Sequence, residues 1–269
     1  MGTFVAKITV MCFAASYGVA LVMEILLLLR PRPIYRWIAF GFGAAGILAH
    51  ALYLGWQAIP LKSPSGSLLL LAFILAVFYL YGSLHHRGFA WGTFVLPIVL
   101  VLVLLALPGS ASFSDDRGSI LGQLLTHDFW PAGTHAVLFL LSGVGVCVGF
   151  IASLMYFVQL YRLRKKVMPT SGGVRFMSLE RLEAMNRRAI LWAFPFLTVG
   201  LLVSIFTQLQ YGSMQGAKLW STLALWVVFA ILLYLRYAAH VRGRSAALWT
   251  IFAFALMLLS FLFSHGETT

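Results

Sequence analysis

The sequence predicts an all-α membrane protein, a bundle of about eight transmembrane helices with both termini on the outer side. Three observations carry that expectation. The 269 residues are 61% hydrophobic and only 10% charged, against about 25% charged in ordinary soluble domains. Apolar runs long enough to cross a hydrocarbon core recur from one end of the chain to the other. The short segments between those runs alternate sharply in positive charge. The whole chain, residues 1–269, is therefore expected to form a single polytopic membrane domain.

Eight spans are read in order: about Phe4–Leu29, Trp37–Gln57, Ser67–Leu84, Ala90–Leu107, Ala136–Tyr161, Ala189–Gln208, Leu219–Leu235 and Ala246–Phe263. At 1.5 Å per residue even the shortest reaches roughly 25 Å, sufficient when flanking side chains snorkel. The first run exceeds a secretory h-region and no small-residue cleavage site follows it, so it is expected to stay in place as a span. Of the 19 Lys and Arg residues, 15 fall after spans one, three, five and seven, eight of them between Arg162 and Arg188. The opposite side holds only Lys7, Lys62, Arg117 and Lys218. Positive residues stay on the cytoplasmic side during insertion, which sets the orientation. The net charge of +12 is thus a topology signal. It calls for membrane lipid as a partner and for no nucleic acid. Cys12 and Cys147 lie inside apolar runs without CxxC spacing, so neither a disulfide framework nor a zinc site is expected.

Within the spans, small residues recur at roughly one-turn spacing: Gly41, Gly43 and Gly46 in span two, and Ser142, Gly145, Gly149 and Ser153 in span five. Such residues let helix backbones approach, and packing is their expected role. Pro97 and Pro195 are expected to kink their spans. Glu24 is expected to snorkel or pair near Arg30. The segment from Ser178 to Arg188 reads as a short amphipathic helix capped by Ser178, with Leu179, Leu182 and Met185 on its apolar face. It is expected to lie on the membrane surface or on neighbouring loops and to feed span six through Asn186. Before span five, ILGQLLTHDFW reads as a short surface helix.

The seven histidines sort by this topology. His85, His86 and His240 sit in the basic loops and read as solvated interfacial residues. His50, His127, His135 and His265 lie toward the outer face. His50 is inside span two, about 10 Å below its outer end by helical rise. An ionisable group inside a span raises a functional hypothesis, and neutral imidazole is an axial ligand for haem iron. For each of these four, ligation and an interhelical hydrogen bond both stand.

The order of these features resembles the cytochrome c assembly family of haem-handling membrane proteins, and within it the short eight-span members of HemX type. GILAHALYLGW around His50 is similar to the family's early histidine helix. The run from Thr134 through RLRKK, opening on His135, looks like its central helix. SLERLEAMNRRAILWAFPFLTVGLLVS matches its leucine-spaced segment, Asn-Arg pair and Phe-Pro element. LWSTLALWVVFAILLYLR matches the penultimate span, and His265 follows the last. Together these cover most of residues 40 to 265. The loop from Gln208 to Ser221 departs from the pattern: Tyr211-Gly212 stands where a tryptophan-rich WGxxWxWD haem platform begins, and the rest is missing.

The resemblance implies haem as cofactor, with His50, His135 and His265 as its binding residues and His50 with His135 as the preferred iron ligands. Lys62, Arg117 or Lys218 would then meet the propionates. It implies a non-enzymatic, haem-handling protein of the cell inner (plasma) membrane, accessory to cytochrome c maturation and working beside other maturation proteins. The missing platform points away from presentation of haem to an apocytochrome. Two other classes stand beside this reading. One is a small-solute transporter; the other is a regulatory membrane subunit linked to haem biosynthesis, whose loop from Arg162 to Arg188 docks a partner.

Overall fold

The computed structural model describes residues 9–56, 64–85, 91–110, 132–166, 177–211, 216–237 and 243–263. Among them every regular element is an α-helix: α1 (Val10–Leu29), α2 (Pro33–Trp56), α3 (Pro64–His85), α4 (Trp91–Ser110), α5 (Ala132–Arg164), α6 (Leu179–Tyr211), α7 (Gly216–Tyr237) and α8 (Arg244–Phe263). A helix occupies each of the eight expected stretches. Five of them, α1, α2, α3, α5 and α6, are long and apolar enough to cross a membrane. The apolar parts of the other three, Trp91–Leu107, Thr222–Leu235 and Arg244–Leu259, are shorter.

Helix ends follow local chemistry. Pro33 and Pro64 stand at the first helical positions of α2 and α3, where the missing N–H is no loss and φ is already helical. Before α8, Gly243 takes φ +70°, and a Cβ there would also meet the Tyr156 hydroxyl at 2.8 Å, so the position requires glycine twice over. The amphipathic segment is not a separate element. Ser178 caps it as expected, its Oγ accepting from the Arg181 N–H at 3.3 Å. From Leu179 the helix then runs unbroken for 33 residues to Tyr211, about 50 Å by helical rise. Backbone hydrogen bonding does not stop at the apolar boundary, and nothing between Ser178 and Ala189 breaks it. α4 and α6 continue helically through Pro97 and Pro195.

The helices group into two compact units, α1–α4 and α5–α8. In the first, α1 packs along α2 and α4, and α3 packs on α4 and α2, closing a four-helix ring. The buried face of α1 is one stripe: Val10, Phe13, Tyr17, Ala20 and Glu24, at the three- and four-residue spacing of a helix. Two glycines of α2 make slots for tyrosine rings. A Cβ on Gly43 would stand 2.7 Å from the Tyr79 ring, and one on Gly46 would stand 2.7 Å from the Tyr17 ring. Gly41 departs from the packing expectation, for a Cβ there meets nothing within 4 Å. It lies only two residues from Gly43, roughly 200° round the helix, and so faces another way.

In the second unit α5 and α6 share the most extensive contact, α8 closes on α5 and α7, and α6 touches α7. The stripe on α5 does pack. A Cβ on Gly145 would stand 2.8 Å from Ala193 Cβ and 2.9 Å from the Ala189 carbonyl, and one on Gly149 would meet Thr250. Ser142 and Ser153 are buried on the same helix. Close backbone approach is what holds helices together where lipid removes the hydrophobic drive.

Candidate functional site

His135 stands in the first turn of α5, half-buried and tilted against Phe139 with ring centroids 4.4 Å apart. Its Nδ1 lies 2.8 Å from the Gly200 carbonyl oxygen on α6. A carbonyl only accepts, so Nδ1 carries the hydrogen and donates it. In the neutral ring this leaves the lone pair on Nε2. Gly200 permits the approach: a Cβ on it would stand 3.0 Å from the Phe139 ring. One ring nitrogen anchored to a backbone carbonyl, with the other left as an acceptor, is the setting of a metal-ligating histidine.

His50 belongs to the first unit and is fully buried. α2 presents it one turn after Gly46, whose missing side chain lets the Tyr17 ring pass. The Tyr17 hydroxyl lies 3.3 Å from His50 Nδ1. Phe13 stacks on the imidazole at 4.1 Å and 5°, and Phe73 of α3 meets it edge-on at 5.5 Å. Its Nε2 is buried with no hydrogen-bond partner among the described residues. An orphaned buried nitrogen is costly, and it is also a donor atom of the kind an iron takes. The interhelical hydrogen bond expected as one reading is present, and whether Nδ1 accepts or donates in it sets whether Nε2 carries the hydrogen.

The remaining sequence-derived positions divide plainly. His85 is exposed, stacked on Tyr81 at 4.1 Å, as an interfacial residue would be. His86, His127, His240 and His265, the propionate candidates Lys62 and Arg117, and the surface helix ILGQLLTHDFW all lie outside the described residues. In the loop expected from Gln208 to Ser221, α6 extends to Tyr211 and α7 starts at Gly216, which includes Lys218. Among the described residues no group of three or more His, Cys, Asp or Glu side chains gathers around a metal-sized point.

Two buried polar clusters were not legible in advance. Glu24 does not turn toward Arg30. It is buried, and the Tyr79 hydroxyl of α3 donates to its Oε1 at 3.2 Å, because the stripe that holds Phe13 and Tyr17 also carries Glu24 to the interior. In the second unit Asn186 Nδ2 lies within 2.8 Å of the Gly149 carbonyl, 2.9 Å of Ser153 Oγ and 3.1 Å of Thr250 Oγ1. That one amide ties α5, α6 and α8. Beside it, Leu182 is fully buried and lines a small pocket with Ser153, Tyr156 and Ala247. The amphipathic face thus docks on helices of its own unit.

Comparison with known proteins bears on this arrangement. The family model described as cytochrome C assembly protein matches residues 62–267. Protein HemX of Bacillus subtilis (strain 168) is 24% identical over 155 residues, covering 56% of this chain. The chain spans about half the length of that relative, 52% of it. No solved structure matches.

Proposed function

Since the chain belongs to the cytochrome c assembly protein family, we propose that it handles haem in the cell inner membrane as an accessory to the maturation of c-type cytochromes. It acts there beside other proteins of that process, by ligation and not by catalysis. The single observation that carries this reading is the anchored imidazole of His135, whose Nδ1–H is held by the Gly200 carbonyl at 2.8 Å. His50 of α2 is a further candidate, its Nε2 buried without a hydrogen-bond partner among the described residues. His265 is the alternative. Haem, when bound, would supply an iron that takes imidazole nitrogen. The chain supplies the rest: at His135 a tautomer set by the Gly200 carbonyl, with the Phe139 ring beside it, and at His50 an imidazole held between Phe13 and Phe73.

The experiment is a visible absorption spectrum of the detergent-purified full chain, before and after titration with haem. The wild type is expected to show a strong Soret band with low-spin features. His135→Ala is expected to lose the low-spin features, and His240→Ala to keep them. A wild type that stays colourless on titration overturns the haem reading. Equal spectra from both variants remove His135 from the ligand set.

A further inference from the structure

Glu24 is a buried carboxyl group that the site described above does not use, and a tyrosine hydroxyl is bonded to it. α1 turns Glu24 inward against α3 and α4, where it is 8% exposed. Tyr79, fully buried, donates its hydroxyl hydrogen to Glu24 Oε1 at 3.2 Å, with the Ala39 carbonyl at 3.4 Å as a second acceptor. Ser83 stands one turn further along α3, on the side of Tyr79 that faces the end of the helix. Ser83 is only half-buried and lies two residues from the end of α3 at His85. Each hydroxyl can accept a proton on its lone pair while giving one from its O–H. Tyr79 bonds the buried carboxyl group directly, and Ser83 is the next hydroxyl along α3 toward the end of the unit where α1 and α3 finish.

The cradle around that carboxyl is shaped for it. Gly92 of α4 packs its Cα face directly against Glu24, so that any side chain there would overlap the carboxyl atoms. Gly43 of α2 does the same for the Tyr79 ring. All four helices of the unit thus contribute. The charged and titratable groups facing Glu24 are few: Tyr79 from α3 and Arg36 from α2, which acts electrostatically. α4 presents glycine. A carboxylate in such a place is costly unless a proton or a close cation neutralises it.

We propose that Glu24 is a proton-binding site, filled and emptied through Tyr79 and Ser83 from the end of the unit that carries the basic loops. The ligand is the proton itself. On loading, water at that end gives a proton to the Ser83 hydroxyl. Ser83 passes its own proton to Tyr79, and Tyr79 passes its proton to Glu24, leaving one neutral carboxyl and hydroxide in bulk water. Unloading runs the line in reverse. No oxidant, metal or haem takes part.

The test is infrared difference spectroscopy of the full chain in detergent, titrated from alkaline to acid. The wild type is expected to gain a protonated-carboxyl C=O band that Glu24→Gln lacks. Tyr79→Phe, which keeps the ring in the Gly43 slot, is expected to retain the band at higher frequency, since the hydroxyl contact to the carboxyl is gone. Its exchange in deuterated buffer should be several-fold slower than in the wild type. The Phe variant carries the test by itself if Glu24→Gln does not fold. A Glu24 that shows only carboxylate bands throughout the titration overturns the proposal, leaving a buried carboxylate bonded by Tyr79. A C=O band with unchanged frequency and unchanged exchange in Tyr79→Phe overturns the relay.

Discussion

Asn186 shows how much one side chain can do in this fold. Its amide has two hydrogens and finds three acceptors, the Gly149 carbonyl and the Ser153 and Thr250 hydroxyls. Only two can be served at once by direct donation. The third contact is relieved because Thr250 also donates to the Ala246 carbonyl at 2.9 Å, and Ser153 to the Gly149 carbonyl at 2.9 Å. Those hydroxyls keep a partner when the amide is removed. Asn186→Ala is therefore expected to destabilise the second unit by about 1–2 kcal/mol, the range of interhelical hydrogen bonds in membranes, and not to unfold it. A thermal unfolding midpoint in detergent that matches the wild type would show the amide to be redundant. In the sequence Asn186 stands out as a polar residue entering an apolar run. Its partners, 33 to 64 residues away, do not.

Among the helices, the glycines separate close approach from open surface. Gly145 faces the Ala189 carbonyl and Ala193 Cβ inside 3.0 Å of where a Cβ would be, with backbone on one side that cannot swing away. Gly145→Val is expected to cost about 1–3 kcal/mol or more as overpacking at the α5–α6 contact. Gly41→Ala meets nothing within 4 Å. It is expected to be neutral or to stabilise by up to about 1 kcal/mol through helix propensity. Unfolding midpoints of the two variants, measured side by side, check both; equal shifts would show that the α5–α6 contact is not close. Both glycines look alike as small residues in an apolar run. Angular position decides between them, and the count of residues from Gly43 to Gly41 was enough to show that these two cannot share a face.

For the molecule as a whole, the charge asymmetry makes the firmest prediction. With 15 of 19 Lys and Arg residues after the odd-numbered spans, reporter fusions after Gln57, Leu107, Gln208 and Phe263 are expected to report the outside. Those after Leu29, Leu84, Lys166 and Arg242 are expected to report the inside. One reversed fusion between the fourth and fifth spans breaks the eight-span arrangement. By itself the sequence determined the all-helical class, the eight helical stretches, the family, the small-residue packing of α5 and the histidines worth following. These are properties of composition, run length and local spacing, and each is written within a few turns of chain. Only the tertiary structure decided that His50 leans on Tyr17 through the slot at Gly46. It alone gave His135 the Gly200 carbonyl, and turned Glu24 from Arg30 to Tyr79. Those pairings span 33, 65 and 55 residues. Each depends on which helix lies beside which and at what rotation, and an apolar run of nearly uniform hydrophobicity records neither.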